Sequence, residues 1–352
     1  MLAAVLLLPQ PVQALSAQKA ILLDAGTGRA LYQKDADSRS LIASTTKIMT
    51  ALLVCEQCNV LDRMRVPKEA VGIEGSSMYL REGEVLTLQE LLYGLMLHSG
   101  NDAAVALAIY CGGTVEGFAQ LMNDKAHRLG LTGTHFENPH GLDSPGHYST
   151  ARDLAVLVAY AMENPIFAKT VSTKQVRVGE RYLTNHNKLL WRVEGADGVK
   201  TGYTRAAGRI LVSGACRDGR RLICVTINDG NDWADHAALL EEGFSRYSLQ
   251  KILSEGDCVG SVEIAGGKQK RVRLLASRDV FYPLAADEMP CVLLSGPGFA
   301  YAPVVAGKQA GVAYICIGDA CVAKVPVVYE ETVEMEETKK EPFWKRLLGG
   351  SS

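Results

Sequence analysis

The stretch LIASTTKIMTALLVC (residues 41–55) places the polar group Ser44-Thr45-Thr46-Lys47 at the head of an apolar run. The run is apolar on nearly every side, which predicts a buried helix rather than a surface helix. Ser44 falls where the N-cap or the first turn of that helix is expected. Because positions i and i+3 share one helix face, Ser44 and Lys47 can point the same way.

A lysine at the N-terminal end of a buried helix is unfavourable as a cation. The helix dipole is positive there and burial penalises charge, so both effects lower the pKa of Lys47. A neutral amine can take the proton of the Ser44 hydroxyl, which predicts a nucleophile with its base. The alternative is a capping serine beside a lysine that extends to solvent, and the S-x-x-K spacing alone does not decide between them.

Length and charge limit the classes of protein to which this chain can belong. A chain of 352 residues is too long for one typical domain and suggests two. The net charge of −2 gives no sign of a nucleic-acid binder. The sequence contains no glycine-rich phosphate loop, no H-E-x-x-H motif and no internal repeat. We therefore expect no nucleic-acid partner, no cofactor and no metal ion.

The first 17 residues, MLAAVLLLPQPVQALSA, are typical of an export signal. An apolar stretch at residues 2–8 is followed by two prolines and by small residues at Ala14 and Ala17. The stretch is too short to span a bilayer. No lysine or arginine precedes it, so the signal could be truncated, and a buried N-terminal strand is the alternative. We expect an exported protein.

Nine cysteines are an odd number for an exported protein, so at least one thiol stays free or pairs outside the chain. Cys55 and Cys58 form a C-x-x-C within the predicted buried helix, but no second pair stands at the spacing of a zinc site. Cys316 and Cys321 flank the turn signal Gly318-Asp319 and are candidates for a disulfide across a hairpin. Most of the others are expected to pack as small apolar side chains.

A second polar motif follows the serine helix. The segment TLQELLYGLMLHSGNDAAVALAIYCGG (residues 87–113) opens with Thr87 and Glu90 at the spacing of a capping box. Helical periodicity continues to about residue 97 and resumes at residue 102, so Ser99-Gly100-Asn101 forms a polar corner between two buried helices. Polar groups at such a corner must be hydrogen-bonded or face a cleft.

A third motif lies on a predicted edge strand. Asp218-Gly219 marks a hairpin turn between RILVSGAC (residues 209–216) and RRLICVTI (residues 220–227). The strand before this hairpin carries Lys200, Thr201 and Gly202, which offer a cation, a hydroxyl and close backbone access. That set suits an anionic substrate beside the strand, and an ordinary edge strand protected by a lysine is the alternative.

In this order, S-x-x-K, S-x-N and K-T-G resemble the motif set of penicillin-binding proteins and class A β-lactamases. IASTTKIMTA, HSGNDAA, RLGLTGTHFENPHGLDSPGHYSTARDLA and DGVKTGYT also resemble blocks of the low-molecular-mass penicillin-binding proteins, the serine-type D-alanyl-D-alanine carboxypeptidases. The resemblance covers residues 19–247 and is weaker beyond. It implies an α/β (α+β) fold of the β-lactamase/transpeptidase type, an antiparallel sheet flanked by helices, with the serine in a cleft between a helical lobe and the sheet.

The resemblance also implies roles for individual residues. Ser44 resembles the acylated nucleophile and Lys47 its base, and the backbone N–H groups of Ser44 and Tyr203 resemble an oxyanion hole. The remaining positions are Ser99 and Asn101, which resemble the pair that relays protons and holds the substrate amide, and Lys200, Thr201, Gly202 and Tyr203 on the substrate-binding strand. Of these, Lys200 and Thr201 resemble the group that engages the terminal carboxylate of the substrate.

The chain departs from the family pattern at two positions. Tyr203 stands where several members have a histidine after K-T-G. Some members also carry an arginine on the helix after the hairpin, whereas NDGNDWADH (residues 228–236) contains none, although His236 is nearby. His140 in NPHGLD is expected to be structural.

The sequence after the predicted catalytic domain, residues 18–248, changes in character. Short alternating strands with glycine turns predict a small all-β sandwich at residues 249–329, which by analogy holds the catalytic domain away from the membrane or binds partners. Residues 330–352 form an acidic linker and the tail PFWKRLLGGSS. Phe343, Trp344, Leu347 and Leu348 there are typical of a peripheral membrane anchor, and a frayed solvated end is the alternative.

Three functions are compatible with these motifs. The resemblance implies a carboxypeptidase that removes the terminal D-alanine of peptidoglycan stem pentapeptides, is inhibited by β-lactam antibiotics and acts at the outer face of the cytoplasmic membrane or in the cell wall. A β-lactamase is the first alternative, but no clear E-x-x-L-N element is present and the extra β domain argues against it. A non-catalytic wall-binding protein is the second, against which the intact motif residues argue.

Overall fold

The computed structural model describes residues 15–337 of a chain that divides into two units, Met1–Arg246 and Tyr247–Ser352. The apolar stretch of the predicted export signal and the predicted membrane anchor lie outside the described residues. The last three residues of the predicted signal are described and pack against the first unit. Ala17 is fully buried, and the backbone N–H of Ser16 donates to Asp235 Oδ2 at 2.8 Å.

Strands from both ends of the first unit pair in one five-stranded antiparallel sheet. Its order is β2 (Ala30–Lys34), β1 (Lys19–Asp24), β9 (Arg220–Ile227), β8 (Gly208–Arg217) and β7 (Ala196–Thr204). The predicted hairpin turn joins β8 to β9, and Asp218 and Gly219 both have positive φ angles, 50° and 78°. Strand β7, which carries the K-T-G motif, lies at the edge of the sheet, as predicted.

Helices pack on the sheet and form the helical part of the unit. Within residues 15–246 they are α1 (Lys47–Gln57), α2 (Leu88–Leu97), α3 (Asn101–Gly112), α4 (Val115–Arg128), α5 (Ala151–Ala161), α6 (Pro165–Ser172) and α7 (Asp232–Arg246). The predicted capping box at Thr87 and Glu90 is present at the start of α2. Two short strand pairs complete the unit, β3 (Arg63–Arg65) with β4 (Val85–Thr87) and β5 (Gln175–Val178) with β6 (Arg181–Thr184).

Helix α1 lies at the centre of the helical part. Its residues from Lys47 to Cys55 are all buried, and it contacts each of the helices α2 to α6. The prediction of a helix that is buried on all sides is therefore confirmed. The C-x-x-C at the end of α1 does not act as a unit: Cys58 forms a disulfide with Cys111 at the end of α3, whereas Cys55 is a buried thiol whose pKa burial raises to about 12.

The second unit is built from strands alone within residues 247–337. They are β10 (Tyr247–Leu253), β11 (Cys258–Ala265), β12 (Arg271–Ala276), β13 (Val280–Ala285), β14 (Pro290–Ser295), β15 (Phe299–Tyr301), β16 (Gln309–Ile317) and β17 (Ala320–Tyr329). A six-stranded sheet, in the order β14-β16-β17-β12-β11-β15, and the pair β10-β13 contribute side chains to one apolar core. Alternating strands of this kind were predicted for this region.

Two features of the second unit differ from the sequence-based expectations. Cys316 and Cys321 face each other across the β16–β17 hairpin, but both are free thiols in the structure, so the candidate disulfide is not formed. The segment after Tyr329, expected to be a linker, continues to pack on the unit. Val333 is 1% exposed and pairs with Val304 in an isolated β-bridge.

No single helix within residues 15–337 combines the length and apolar composition that crossing a membrane requires, although two pairs of helices, each bent at a short break, reach them together.

Gly141 permits a close approach between a loop and the turn that precedes α1. Its φ is +88°, and a Cβ atom there would lie 1.9 Å from the carbonyl oxygen of Ala43. We predict that Gly141→Ala lowers the free energy of unfolding by about 2–4 kcal/mol, because left-handed backbone strain and a backbone clash add together. Thermal or urea unfolding measures this. Gly26→Ala is the control, since its Cβ would meet only Asp24 Oδ1 at 3.7 Å; equal losses in the two variants would contradict the packing argument.

Candidate active site

Ser44 is the second residue of a 3₁₀ turn, Ala43–Thr46, that leads directly into α1. Neither this turn nor α1 has a side-chain cap, so the alternative of a capping serine is wrong. The turn is held by other groups: Thr45 Oγ1 donates to the carbonyl of Ile42 at 2.5 Å, and Thr46 Oγ1 is 2.7 Å from His147 Nε2. Ser44 Oγ is therefore free to face Lys47 Nζ, 3.0 Å away.

The amine of Lys47 is enclosed by three oxygen atoms. Besides Ser44 Oγ, it contacts Asn101 Oδ1 at 2.7 Å and the carbonyl oxygen of His140 at 2.6 Å. Lys47 is fully buried. Burial, followed by the positive charge of Lys200, lowers the pKa of Lys47 well below its usual value, while Asp102 acts in the opposite direction. The geometry thus favours a neutral amine at this position.

A neutral amine at Lys47 has two N–H donors and one lone pair. The oxygens of Asn101 and His140 can only accept, so they take the two hydrogens. The orientation of the Asn101 amide is fixed by its other end, because Nδ2 donates to the carbonyl of Glu74 at 2.5 Å. The lone pair is then left for the Ser44 hydroxyl, which can donate its proton along the 3.0 Å contact.

The corner between α2 and α3 places Ser99 and Asn101 beside this pair. Ser99 has φ +63° and lines the cleft, and Asn101 begins α3, one residue earlier than predicted. The polar groups of the corner are satisfied by the loop opposite, since the Asn101 backbone N–H donates to the Ser76 carbonyl at 2.7 Å. The expectation that polar groups at this corner are hydrogen-bonded or face a cleft is confirmed, since Asn101 is hydrogen-bonded and Ser99 lines the cleft.

Asp102 is a supporting residue that the sequence did not single out. It is 1% exposed and accepts hydrogen bonds from Ser77 Oγ at 2.6 Å and from the backbone N–H groups of Met78 and Leu80, each at 3.0 Å. These bonds tie the loop opposite the corner to the start of α3. The only signal in the sequence was an acidic residue directly after the S-x-N motif.

Strand β7 forms the other side of the site. Lys200 is 1% exposed, donates to the carbonyl of Thr201 at 2.9 Å, and has its pKa lowered to about 7 by burial. A Cβ on Gly202 would lie 3.3 Å from Ala43 Cβ and from the carbonyl oxygen of Ile42, so glycine allows the strand to contact the Ser44 turn. Tyr203, which replaces a histidine of several family members, is exposed.

A cleft of about 950 Å³ brings the predicted residues together. Ser44, Ser99, Thr201, Gly202 and Tyr203 line it, while Lys47, Asn101 and Lys200 are buried behind its wall. The lining also includes residues that the sequence did not single out, among them Ser76, His186, Lys188, Arg209, Asp232 and Trp233. Within residues 15–337 no group of three His, Cys, Asp or Glu side chains stands close enough to hold a metal ion.

His236 does not supply the missing cation. It is fully buried, with Nδ1 2.7 Å from Ser213 Oγ and Nε2 2.9 Å from Thr226 Oγ1, and burial lowers its pKa to about 3. His236, although near the position of that arginine in the sequence, is therefore not available as a cation for the substrate carboxylate. Instead, the cleft contains Arg209 of β8, which forms an ion pair with Asp232, the first residue of α7.

Comparisons with known proteins agree with this arrangement. Residues 8–231 match the family model described as D-alanyl-D-alanine carboxypeptidase, and residues 247–335 match that of the penicillin-binding protein 5 C-terminal domain. Among curated proteins, the chain is similar to D-alanyl-D-alanine carboxypeptidase DacF of Bacillus subtilis, with 32% identity over 95% of this chain and 89% of that protein. D-alanyl-D-alanine carboxypeptidase DacD of Escherichia coli is 34% identical over 92% and 88%.

A solved structure extends the similarity to both units. Penicillin-binding protein 5 from Haemophilus influenzae is similar to this chain with a TM-score of 0.79 and 28% identity, over 92% of this chain and 99% of that one. The family match, the curated relatives and this structural neighbour agree with one another and with the motif residues gathered at the cleft. The chain belongs to the D-alanyl-D-alanine carboxypeptidase family, the low-molecular-mass penicillin-binding proteins.

Proposed function

We propose that this chain is a serine D,D-carboxypeptidase that removes the terminal D-alanine of peptidoglycan stem pentapeptides. The observation that carries the proposal is the buried amine of Lys47, whose pKa is lowered well below its usual value and which lies 3.0 Å from Ser44 Oγ at an open cleft. Its relatives are named D-alanyl-D-alanine carboxypeptidases and penicillin-binding proteins, which supports the same substrate class here.

In the acylation step, Ser44 Oγ attacks the carbonyl carbon of the penultimate D-alanine and its proton passes to Lys47. The backbone N–H groups of Ser44 and Tyr203 are the donors for the oxyanion that develops on the carbonyl oxygen. The peptide C–N bond then breaks, and Lys47 passes the proton that it took from Ser44 through the Ser99 hydroxyl, which lines the same cleft, to the leaving nitrogen, so that Lys47 is again a free base. The products of this step are the acyl-enzyme on Ser44 and free D-alanine.

In the deacylation step, a water molecule replaces D-alanine. Lys47 accepts a proton from the water, the hydroxide attacks the ester carbon, and Ser44 Oγ leaves and recovers its proton. The family resemblance implies that Asn101 holds an amide of the substrate during this step. A β-lactam is attacked in the same way, but its leaving nitrogen stays tethered in the opened ring, so the adduct occupies the space that water needs.

The location of the proposed substrate and the N-terminal sequence both support a location outside the cytoplasmic membrane. Stem peptides are found there, and residues 1–17 are typical of an export signal. We propose that the enzyme acts at the outer face of that membrane or in the cell wall, with residues 342–352 as a peripheral membrane contact. The apolar residues Phe343, Trp344, Leu347 and Leu348 next to Lys345 and Arg346 support that contact.

The direct test of the proposed function is the release of D-alanine from a pentapeptide that ends in D-Ala-D-Ala. We predict steady release by the wild type and none by Ser44→Ala, because the acyl-enzyme cannot form without the hydroxyl. Hydrolysis of benzylpenicillin is measured in parallel. Rapid turnover of the penicillin without release of D-alanine would favour a β-lactamase, and turnover of neither would favour a wall-binding protein.

The role of Lys47 as the base makes a second prediction. Lys47→Arg keeps the positive charge but cannot lose its proton, so acylation by benzylpenicillin should slow by about 10²–10⁴-fold, the usual effect of losing a general base. Intact-protein mass spectrometry over time measures the rate. Lys188→Arg is the matched control, since Lys188 lines the cleft outside the proposed machinery. A wild-type rate in Lys47→Arg would refute the assignment of the base.

A further inference from the structure

The cleft contains one arginine–aspartate pair that the proposed steps do not use. Arg209 lies on β8, directly opposite Tyr203 of β7, and Asp232 begins α7. Both side chains line the cleft together with Ser44 and Thr201. We propose that Arg209, oriented by Asp232, binds the terminal carboxylate of the peptide substrate. The proposal rests on the carboxypeptidase function and names the residue that would select its substrates.

The geometry of the pair leaves one edge of the guanidinium available. Arg209 Nε donates to Asp232 Oδ2 at 3.1 Å, and Nη2 donates to Oδ1 at 2.7 Å and to Oδ2 at 2.9 Å. Asp232 therefore occupies the Nε/Nη2 edge, and Arg209 Nη1 has no partner within residues 15–337. A planar guanidinium has a second edge, formed by Nη1 and Nη2, that also matches a carboxylate in two parallel hydrogen bonds.

Burial differs sharply between the two partners. The side chain of Asp232 is 5% exposed, whereas that of Arg209 is 47% exposed. Asp232 is fixed further by the backbone N–H of Trp233, which donates to Oδ1 at 2.9 Å. The aspartate is thus a rigid support inside the wall, and the arginine extends from it towards the cleft. A group held this way loses little further freedom when it binds a ligand.

Lys200 is less suited to the same task. Its side chain is 1% exposed, and its amine already donates to the carbonyl of Thr201. Its positive charge acts on Lys47, whose pKa it lowers. A guanidinium, by contrast, stays charged at every pH at which the fold is stable. Lys200 and Arg209 therefore have different roles. Lys200 acts on the reacting groups, and Arg209 binds the terminal carboxylate of the substrate.

The test compares two enzymes on two peptides. One peptide ends in D-Ala-D-Ala with a free carboxylate, and the other carries a terminal amide in its place. The variant is the double substitution Arg209→Gln with Asp232→Asn, which removes both charges and leaves no buried aspartate without a partner. We expect kcat/KM for the free-carboxylate peptide to fall roughly ten- to a hundredfold, mainly through KM, and that for the amide to change little.

Arg205→Gln provides a matched control on the same hairpin. Arg205 is exposed in the β7–β8 turn and does not line the cleft, so its substitution removes an arginine of the same hairpin without changing the proposed site. Its kcat/KM values should equal those of the wild type. If surface charge had only a general effect, kcat/KM would fall for both the control and the double variant on both peptides, and that result would overturn the proposal.

Binding separates this proposal from the proposed function. In a Ser44→Ala background no chemistry occurs, and isothermal titration calorimetry measures affinity for each peptide. We expect the double substitution to weaken binding of the free-carboxylate peptide by the same roughly ten- to hundredfold factor and to leave the amide unaffected. Equal losses for both peptides, or no loss for either, would overturn the role of Arg209. Failure of the wild type to release D-alanine would instead count against the carboxypeptidase function alone.

Discussion

The buried contact between the Lys47 amine and the Ser44 hydroxyl is the interaction on which the rest of the site depends. An ammonium ion is costly to bury without an ionised partner, and within residues 15–337 no carboxylate contacts Lys47. Neutralising the amine removes that cost and creates a base in the same step. Helix α1 is packed against helices α2 to α6 and strand β7, and the oxygens of Asn101 and His140 accept the two hydrogens of the Lys47 amine.

Several elements of the first unit approach one another closely around that amine. The loop that carries the His140 carbonyl approaches the Ser44 turn only because Gly141 has no side chain, and β7 approaches it from the other side at Gly202. Asp102 fixes the loop opposite the Ser99–Asn101 corner by accepting hydrogen bonds from the backbone N–H groups of Met78 and Leu80. Its negative charge opposes the lowering of the Lys47 pKa, but burial is the largest effect and Lys200 acts in the same direction. The net effect lowers the pKa of the amine, which favours its neutral form.

The sequence predicted the parts of this site that are local. Ser44 with Lys47 and Ser99 with Asn101 are close in the chain, and the K-T-G strand precedes a clear hairpin turn, so spacing and pattern located each of them. Arg209 and Asp232 are 23 residues apart and belong to a strand and a helix, so their pairing depends on how α7 packs on the sheet. The burial of His236 and the Cys58–Cys111 disulfide likewise depend on tertiary packing, which no local pattern encodes.

The pKa of the Lys47 amine is the most direct measure of the central claim. Protein labelled with ¹³C at lysine Cε can be titrated by NMR, and the resonance that is missing from Lys47→Arg belongs to Lys47. This assignment also separates Lys47 from Lys200, whose pKa is lowered as well. The account predicts that the Lys47 resonance titrates well below 10.5, the ordinary value for lysine. Titration near 10.5 would show a permanently charged ammonium and would contradict the account.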